Sequence, residues 1–506
     1  MAEMLKTSDP TPPQPIHIPF ETTYSGLPKR FYAHCPPAPF PRPEMVRFNA
    51  PLADALRIER AEADNAALAA AFSGQRPPEG AAWLAMAYAG HQFGHLVPAL
   101  GDGRAVLMGE VIDRSGQRRD IQLKGAGLTP FSRHADGRAP LGPVLREYVV
   151  SEAMYALGVP TSRALAAVTT GEPVLRETAQ PGAVLTRVAS SHLRVGTFEY
   201  FAVRDDQAAV QQLADYAITR HDPDARDADN PYLELLRRVS RRQAELIADW
   251  MALGFIHGVM NTDNTTLSGE TIDYGPCAFM DHYHPGTVYS FVDQMGRYAY
   301  GNQPGIGQWN LARFAEALLR LLGNDSNEAI AAAREILEAY TEHHEAAWLE
   351  RMRAKLGLAT AMEEDRALVD HLLAILARNR VDFTGFFRRL ADAAETTTVD
   401  SDIGALFQDP DDWQRWSGRW RERLDLESAD SGTRAAAMRW TNPAVIPRTH
   451  AIEQAIRAAE DEGDFAPFHA LVEAVSHPFE APESTEAPWA RPPRPEERVP
   501  NTFCGT

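Results

Sequence analysis

The sequence predicts an α+β fold with two lobes, a small strand-rich lobe followed by a larger helical lobe. Short apolar runs separated by glycines and polar turns are concentrated in residues 101–200, which is typical of strands. From Pro231 onward, apolar residues recur at helical spacing over long segments. The 506 residues also exceed the length that one hydrophobic core usually serves. We therefore expect more than one substructure.

The N-terminal part of the chain precedes the first lobe and is assigned to residues 1–79. Prolines are frequent in residues 9–52, which favours an arm that packs on a domain rather than a domain of its own. A single helix is predicted from Pro51 to Ser73.

The small lobe is assigned to residues 80–195. Strands at 105–112 and 121–124 flank a polar turn, which is the pattern of a β-hairpin. After a Gly-rich loop, a helix is predicted with Pro143 in its first turn and Gly158 at its end. Three further strands are predicted at 164–169, 173–176 and 183–188.

The helical lobe is assigned to residues 196–395 and is followed by a C-terminal extension, residues 396–506. The longest amphipathic pattern covers residues 232–253 and ends at Gly254, a typical residue after a helix C-terminus. The other helices are predicted at 310–322, 326–356, 363–378, 380–394 and within 433–475.

Charge and cysteine content limit the partners and the compartment. With 50 Lys and Arg against 69 Asp and Glu, the net charge of −19 argues against a broad nucleic-acid-binding surface. It still permits a small basic pocket for one phosphorylated ligand. Three cysteines cannot build a disulfide framework, which fits a reducing compartment. No secretory signal and no apolar stretch of membrane-spanning length is visible. We expect a cytoplasmic monomer that binds neither nucleic acid nor membrane.

The strongest chemical signal is a pair of neighbouring segments in the helical lobe. His257-Gly258-Val259-Met260-Asn261-Thr262-Asp263-Asn264 resembles the kinase pattern H-R-D-L-x-x-x-N, and Asp273-Tyr274-Gly275 resembles D-F-G. In kinases, the Asn and the D-F-G Asp bind the Mg²⁺ that bridges the nucleotide phosphates. Asn264 and Asp273 are therefore predicted to bind Mg²⁺, or Mn²⁺, which accepts the same oxygen ligands. The Asn- and Asp-rich run is also typical of a polar turn.

The position of the kinase catalytic Asp holds Val259, which cannot accept a proton. Asp263 is the nearest carboxylate that can replace the missing base. The segment therefore differs from an ordinary kinase at the residue that activates the acceptor hydroxyl.

Isolated cationic residues in the small lobe suggest phosphate binding. Lys124 ends a predicted strand and can contact phosphate as a point charge, and Glu147 on the following helix can pair with it, as the strand Lys and helix Glu do in kinases. Arg187 and Arg194 would add two guanidinium groups, which together suit a polyphosphate. Taken singly, each of these residues has a structural or surface role as its alternative.

Two Gly-containing turns could bring backbone N–H groups close to phosphate. Leu100-Gly101-Asp102-Gly103-Arg104 precedes the first strand of the hairpin and ends on a forked donor, Arg104. The loop at 133–138 contains Asp136 and Gly137 and is similar in character. Both segments are also typical of plain turns.

These motifs closely resemble the selenoprotein-O family of pseudokinases, which are protein adenylyltransferases. The resemblance covers nearly the whole chain, although the arm and the tail match less well. The matching segments are Tyr88-Ala89-Gly90-His91-Gln92-Phe93-Gly94, Leu100-Gly101-Asp102-Gly103-Arg104-Ala105, Gln122-Leu123-Lys124-Gly125-Ala126-Gly127, the stretch from Gly254 to Gly275, Asn442-Pro443 with Arg448, and a Cys three residues from the C-terminus.

The resemblance implies a protein-kinase-like two-lobed fold that binds ATP in a reversed orientation. AMP would then pass to a Ser, Thr or Tyr hydroxyl of a protein, and pyrophosphate would leave. Asn264 and Asp273 would bind the metal, and Asp263 would accept the proton. The residues that would hold the nucleotide are Gly101, Gly103, Arg104, Lys124, Asp136, Gly137, Arg187, Arg194 and Asp273.

The resemblance to this family extends to the C-terminal residues of the chain. In family members that contain selenocysteine, that residue occupies the near-terminal position, which is Cys504 here. Cys504 is therefore a candidate redox residue, and Cys277 is its candidate partner by residue type only. Two unrelated thiols are the alternative.

Two other functions remain open at the level of sequence. A kinase-like phosphotransferase is one, and Val259 argues against it. An inactive nucleotide-binding scaffold is the other, and the retained Lys124, Asn264 and Asp273 argue against it. Family analogy alone adds UMP transfer from UTP as a second activity.

Overall fold

The computed structural model of the chain describes residues 16–60 and 63–503. The chain divides into two compact units. The first comprises the described residues of Met1–Met86 together with Gly103–Pro140 and Leu165–Val188. The second comprises Ala87–Asp102, Leu141–Ala164 and the described residues of Ala189–Thr506. The first unit contains an antiparallel sheet and the second is mainly helical, so the α+β prediction is confirmed.

The described residues contain both short and long regular elements. Their strands are β1 (Tyr32–His34), β2 (Glu44–Phe48), β3 (Leu84–Met86), β4 (Gly90–Gln92), β5 (His95–Val97), β6 (Ala105–Ile112), β7 (Arg118–Lys124), β8 (Ala139–Pro140), β9 (Arg163–Leu175), β10 (Ala179–Ala189), β11 (Phe255–Ile256) and β12 (Ala278–Phe279). Their α-helices are α1 (Ala50–Ala55), α2 (Asn65–Phe72), α3 (Leu141–Ala156), α4 (Val195–Ala202), α5 (Gln207–His221), α6 (Pro231–Leu253), α7 (Gln303–Leu322), α8 (Ser326–Lys355), α9 (Asp365–Asn379), α10 (Phe383–Glu395), α11 (Asp400–Gly404), α12 (Pro410–Leu424), α13 (Ser431–Thr441), α14 (Thr449–Arg457) and α15 (Ala466–Ser476).

The sheet of the first unit has the strand order β1-β3-β6-β7-β10-β9-β2, and β8 pairs with β10. The predicted hairpin is confirmed as β6 and β7, with β6 at the predicted bounds. Strand β7 begins three residues earlier than predicted, because the turn closes already where the Asp113 N–H donates to the Gln117 carbonyl at 2.8 Å. Apolar side chains from the hairpin, such as Val106, Met108 and Leu123, pack with α2 in the core of this unit.

The proline-rich arm is more closely integrated than predicted. Within its described part, β1 pairs with β3 and β2 pairs with β9, so the arm supplies both edge strands of the sheet. Residues 9–15 of the predicted arm lie outside the described residues. Prolines limit the pairing but do not prevent short strands at a sheet edge, where one side needs no partner.

The predicted single helix from Pro51 to Ser73 is wrong, because two short helices occupy this region. Helix α1 ends at Ala55, and Arg57 adopts a left-handed conformation with φ of 62°. A new N-terminus forms at Asp64, whose carboxylate accepts from the Ala67 N–H at 2.8 Å and caps α2.

The prediction of separate strands at 164–169 and 173–176 is also wrong. They form one strand, β9, although Gly171 has a left-handed φ of 75°. Glycine adopts this conformation at no steric cost, so the strand continues through it. The strand predicted at 183–188 is longer at its N-terminal end and forms β10.

Long helices build most of the second unit. Helix α6 matches the predicted long helix, and Gly254 follows it in the left-handed conformation with φ of 73°. A cluster of buried aromatic residues, including Trp413, Trp416 and Trp420 of α12, forms a core with α9 and α10. Four helices that the sequence patterns did not indicate are α4, α5, α11 and α12. Among the described helices, none combines the length and apolarity required to cross a membrane.

Helices of the C-terminal extension cover α3. Arg146 and Glu147 of this helix are both buried. Arg146 pairs with Glu453 of α14, and the ring of Tyr148 lies 5.7 Å from that of Phe468 in α15. The extension therefore belongs to the second unit and supplies counter-charge to α3.

Candidate active site

A short hairpin in the second unit brings the two kinase-like segments together. Strands β11 and β12 pair through Phe255 with Phe279, and both segments lie in the connection between these strands. His257 is buried, and its Nε2 donates to the Ile272 carbonyl at 2.9 Å. A carbonyl oxygen only accepts, so Nε2 carries the proton. Burial lowers the pKa of His257. Nδ1 accepts from the Val259 N–H at 3.4 Å, so the ring links the backbones of the two segments.

Asp263, the predicted base, lies in a 3₁₀ turn over Thr262–Asn264, and only 8% of the residue is exposed. Its Oδ2 accepts from Nε2 of Gln92 at 3.3 Å, whereas Oδ1 is buried without a hydrogen-bond partner among the described residues. Burial raises the pKa of Asp263 to about 7, although Arg194 and Gln92 oppose this effect. A carboxyl group that titrates near neutral pH is suited to general base catalysis.

Two glycines make room for Asp263. A Cβ at Gly90 would lie 2.3 Å from Oδ1 of Asp263, and a Cβ at Gly196 would lie 2.1 Å from the Ala89 carbonyl and 3.3 Å from the Asp263 Cα. Both distances to the nearest atom are far below van der Waals contact, so neither position can carry a side chain without moving the loop.

Arg194 connects the predicted base to the predicted metal ligand. Its segment is held to the loop after Asp263, where the Val195 N–H donates to the Thr265 carbonyl at 2.9 Å. Nη1 of Arg194 donates to Oδ2 of Asp273 at 2.8 Å and to the Asp263 carbonyl at 2.7 Å. One guanidinium group therefore holds both loops.

Arg194 keeps its charge in this buried position. Burial alone would lower its pKa, but Tyr88, Asp273 and Asp102 raise it above the usual value. The Tyr88 ring lies 4.7 Å from the guanidinium carbon, a cation–π distance, and Asp102 is only 2% exposed. The sequence assigned Arg194 to phosphate, and the structure places it among carboxylates.

The predicted metal ligands offer oxygen atoms. Nδ2 of Asn264 donates to the Val259 carbonyl at 2.9 Å, which leaves the amide oxygen as the atom suited to a cation. Asp273 has a left-handed φ of 62°, which is uncommon for a residue with a side chain and frequent at functional sites. Within residues 16–60 and 63–503, no cluster of three or more His, Cys, Asp or Glu forms a complete metal site. An Asn–Asp pair fits Mg²⁺ or Mn²⁺ when water and phosphates supply the other ligands.

In the first unit, the three predicted phosphate-binding cations lie on or beside the neighbouring strands β6, β7 and β10. Lys124 pairs with Ala105 in the β6–β7 ladder, and the Gly125 N–H donates to the Arg104 carbonyl at 2.7 Å. Arg187, on β10, donates from Nε to Oε1 of Gln122 at 2.8 Å. Gln122 and Lys124 alternate onto the same face of β7, so Arg187 and Lys124 share that face.

The glycines predicted to bind the nucleotide lie close to neighbouring backbone or have left-handed conformations. A Cβ at Gly137 would lie 2.2 Å from the Gly127 carbonyl, and one at Gly103 would lie 3.0 Å from the Phe131 carbonyl. Gly101, in the second unit, has a φ of 68°, and its N–H donates to the Tyr88 carbonyl at 3.0 Å. The left-handed backbone therefore favours glycine at positions 101 and 137, and the close Phe131 carbonyl leaves little room for a side chain at position 103.

Asp136, the remaining predicted nucleotide residue, forms an ion pair within the first unit. Nη1 of Arg176 donates to its Oδ2 at 2.8 Å, and the Arg138 N–H donates to Oδ1 at 2.9 Å. Burial opposes ionisation, but these hydrogen bonds lower the pKa of Asp136 below its usual value.

Glu147 and Cys504 are the remaining residues for which the sequence predicted a role. Glu147 is buried in α3 and close enough to Tyr274 to contribute to the raised pKa of that phenol, which burial dominates. The Lys124–Glu147 pair stays a prediction. Cys504 lies outside the described residues, so its redox role also stays a prediction. Cys277 is buried, and Oγ1 of Thr502 donates to the carbonyl of the preceding residue, Pro276, at 2.6 Å.

Several residues that contact the site were not assigned a role from sequence patterns. Tyr88, Gln92 and Asp102 surround Arg194 and Asp263, and His91 bonds to the buried Glu199 of α4. Four of these five residues lie within the motifs that carry the family resemblance. That position was the available signal, but the motif strings did not show which atoms they meet.

Comparison with known proteins gives a consistent result. The family model described as "Protein adenylyltransferase SelO" matches residues 14–476. The chain is 57% identical over 491 residues to a protein nucleotidyltransferase YdiU of Rhodopseudomonas palustris (strain ATCC BAA-98 / CGA009), which covers 97% of this chain and 99% of the relative. Proteins of the same name from Rhizobium etli (strain CIAT 652) and Rhizobium meliloti (strain 1021) are 56% and 55% identical over 489 residues each. These matches cover 96% of this chain and 97% and 99% of the relatives.

Proposed function

We propose, because the chain belongs to the SelO family of protein adenylyltransferases, that it transfers AMP from ATP to Ser, Thr or Tyr hydroxyl groups of proteins and releases pyrophosphate. The observation that carries this proposal is the site around Asp263. The buried Asp263 lies beside Asn264, and its backbone carbonyl accepts from the same Arg194 nitrogen that donates to Asp273. The kinase base position holds Val259.

Asp263 is the proposed general base. The acceptor hydroxyl gives its proton to the Asp263 carboxylate. The acceptor oxygen then forms a bond to the α-phosphorus. The bond from that phosphorus to the oxygen bridging to the β-phosphate breaks, and pyrophosphate leaves with the electron pair.

Asn264 and Asp273 are the proposed ligands of a divalent cation, Mg²⁺ or Mn²⁺. When bound, such an ion neutralises the charge of the phosphates and of the leaving pyrophosphate. Arg194 holds Asp273 in place through its 2.8 Å hydrogen bond and brings a permanent positive charge to the same site.

Lys124, Arg104 and Arg187 are the proposed phosphate-binding cations of the first unit. Their support is their proximity on neighbouring strands: Arg104 precedes Ala105, which pairs with Lys124, and Arg187 bonds Gln122, two residues before Lys124. Gly101, Gly103 and Gly137 are proposed to admit the nucleotide close to the backbone. Asp136 keeps its proposed nucleotide role only if it exchanges the Arg176 ion pair for the ligand.

We propose a kinase-like arrangement of the two lobes with a reversed nucleotide, UTP as a second donor, and a cytoplasmic monomer. The α+β content, the long α6 helix and the order of the motifs along the chain support the kinase-like arrangement.

Labelled ATP distinguishes this function from its alternatives. With Mg²⁺ or Mn²⁺ and a cell lysate as acceptor, label from the α-position is expected to enter protein, and label from the γ-position is not. Transfer from the γ-position only would establish a phosphotransferase and contradict the proposal. Metal-dependent ATP binding without any transfer would instead favour a scaffold. The same assay with α-labelled UTP tests UMP transfer.

Variants connect the activity to the site. Asp273→Ala is expected to abolish transfer, and Asp263→Asn to lower kcat by at least about 100-fold, since it removes the base. Asp425→Ala changes an exposed Asp of the C-terminal extension and serves as the control. Equal activity of Asp263→Asn and the native chain would remove Asp263 from the mechanism.

A further inference from the structure

The β4–β5 hairpin contacts the loop that carries Asp263 at consecutive residues. The His91 N–H donates to Oγ1 of Thr262 at 2.7 Å, and Nε2 of Gln92 donates to Oδ2 of Asp263 at 3.3 Å. Neighbouring residues of the hairpin therefore meet neighbouring residues of the loop. None of these contacts is assigned a role in the proposed reaction described above.

A third contact between the hairpin and this loop lies at the turn of the hairpin. The Phe93 N–H donates to Oδ1 of Asn261 at 3.2 Å and to the Tyr298 hydroxyl oxygen at 3.0 Å. The Tyr298 hydroxyl in turn donates to the same Asn261 oxygen at 2.6 Å. Three loop residues in a row, Asn261 to Asp263, are thus held by the hairpin.

The hairpin depends on these contacts for its position. Strands β4 and β5 form a two-stranded sheet of their own and pair with no other strand among the described residues. An isolated two-stranded hairpin is marginally stable in water, so its packing partners determine where it lies.

Glu199 of α4 anchors the arrangement. Its Oε2 accepts from the Thr262 hydroxyl at 2.5 Å, and its Oε1 accepts from Nδ1 of His91 at 2.5 Å. Only 3% of Glu199 is exposed, and a buried carboxylate is costly unless hydrogen bonds satisfy it. The Thr262 hydroxyl has a single proton, which it gives to Glu199, while its oxygen accepts from the His91 N–H. Its orientation is therefore determined.

These contacts limit how Asp263 can move. Gly90 has no side chain, and this leaves space for Oδ1 of Asp263. Gln92 donates a hydrogen bond to Oδ2 of the same carboxylate. Thr262 precedes Asp263, so its two hydrogen bonds restrict the backbone from which the carboxylate projects. The result is one anchored oxygen and one oxygen without a partner among the described residues.

We propose that the β4–β5 hairpin is a positioning element for the Asp263 carboxylate, anchored by Thr262 on Glu199 and completed by Gln92, which orients one carboxylate oxygen. This inference rests on the proposed function, because it assigns the hairpin a role toward the proposed base. Thr262, Glu199 and Gln92 are positioning residues, since they act through Asp263.

A matched pair of variants at Thr262 tests the anchor. Thr262→Val keeps the shape of the side chain and removes the hydroxyl, so kcat for AMP transfer is expected to fall about 100-fold with KM for ATP changed less than about threefold. Thr262→Ser keeps the hydroxyl and is expected to retain kcat within about threefold. Equal losses in both variants, or an unchanged kcat in Thr262→Val, would overturn the proposal. Thr384→Val, at a buried Thr of α10, controls for the change of residue type.

Gln92 offers a milder test that leaves the buried core intact. Gln92→Met removes the donor at similar size, and kcat is expected to fall about 10-fold at unchanged KM for ATP and unchanged melting temperature. Gln408→Met, at an exposed glutamine, is expected to have no effect. A variant that raises KM with kcat unchanged would place Gln92 in nucleotide binding instead and overturn its positioning role.

Crystal structures of Thr262→Val and Gln92→Met provide a readout that does not depend on activity. The Asp263 carboxylate is expected to rotate or shift by about 1 Å or more relative to the native chain, a displacement sufficient to affect catalysis. An unmoved carboxylate in both variants would overturn the proposal. If the native chain transfers no AMP, the proposed function fails, but these structures still decide whether the hairpin positions Asp263.

Discussion

Arg194 donates a hydrogen bond from Nη1 to Oδ2 of Asp273 at 2.8 Å, across 79 residues of sequence. The two side chains are 3% and 19% exposed. The same nitrogen also donates to the Asp263 carbonyl. The geometry of the Asp263 loop and the orientation of Asp273 therefore depend on one guanidinium group.

Removal of Arg194 is expected to affect both stability and transfer. In Arg194→Met, Asp273 loses its hydrogen bond to a buried guanidinium group, and the loss of one partner of a buried ion pair typically costs about 3–5 kcal/mol. AMP transfer is expected to fall below detection, and the melting temperature is expected to drop. Arg194→Lys keeps the charge but loses the planar guanidinium, so we expect intermediate stability with little activity.

Labelled-ATP kinetics and thermal unfolding check the Arg194 prediction. Arg241→Met changes a largely exposed arginine of α6 that pairs with Glu245, and neither measurement should move in this control. Full activity of Arg194→Met would show that the buried pair with Asp273 is dispensable.

Gly90 is expected to tolerate no side chain. In Gly90→Ala, the new Cβ would lie 2.3 Å from Oδ1 of Asp263, so the carboxylate must move, and kcat is expected to fall at least about 10-fold. Gly305→Ala introduces the same methyl group into open space in α7, where it should leave kcat unchanged and raise stability by about 0.5–1 kcal/mol. Equal kcat values for the two variants would contradict the steric explanation.

The buried Lys355 is expected to make the stability of the protein depend on pH. It is 3% exposed, its Nζ lies 4.2 Å from the ring centroid of Phe387, and burial lowers its pKa from 10.5 to about 7. Between these two values the unfolded chain keeps a proton that the folded chain has lost. The burial penalty is therefore absent above about pH 10.5, grows as the pH falls toward 7, and is constant below 7.

Lys355→Met is accordingly expected to stabilise the protein by at least about 1 kcal/mol at pH 6, with a gain that shrinks from pH 7 to pH 10. The aromatic ring offsets part of the penalty because it favours the charged amine. Thermal unfolding of both proteins at pH 6, 8 and 10 measures the difference. The exposed Lys29→Met is the control. A difference that does not vary with pH would contradict the assignment to Lys355.

The end of the described chain is expected to protect the segment around Phe291 from hydrogen exchange. Thr502 forms a parallel bridge with Ser290, and the Phe291 N–H donates to the Thr502 carbonyl at 3.1 Å. Deletion of residues 499–506 should therefore speed amide hydrogen exchange around Phe291, as mass spectrometry can measure. Cys504→Ser in the full chain separates this effect from any thiol chemistry. Unchanged exchange in the deletion variant would refute the contact.

Local patterns predicted those elements whose boundaries depend on local chemistry. Strand β6 lies at its predicted bounds, and α6 ends where Gly254 takes the left-handed conformation. The single helix predicted from Pro51 to Ser73 failed because the cap at Asp64 starts a second helix, and apolar spacing alone does not show such a break. The edge strands β1 and β2 were missed because short pairing depends on a distant partner strand rather than on the segment itself.

In the candidate site too, local patterns identified residue types but did not identify contacts between distant segments. Residue types and spacing identified Asp263, Asn264 and Asp273 as candidates, since oxygen ligands and carboxylate bases require those side chains. Spacing did not indicate that Gln92 would meet Asp263, because that contact joins residues 171 apart. The sequence also predicted that Arg194 binds phosphate, but it did not indicate that carboxylates surround this residue.

By itself, the sequence determined the family, the α+β composition, the main helices and the residues with the right chemistry for nucleotide transfer. These follow from local periodicity, side-chain chemistry and long motif strings. Only the tertiary structure decided that Asp263 is buried, that one of its oxygens is anchored while the other lacks a partner among the described residues, and that Arg194 is shared by two loops. Such properties depend on desolvation and on contacts between distant segments, and a linear sequence does not display either one.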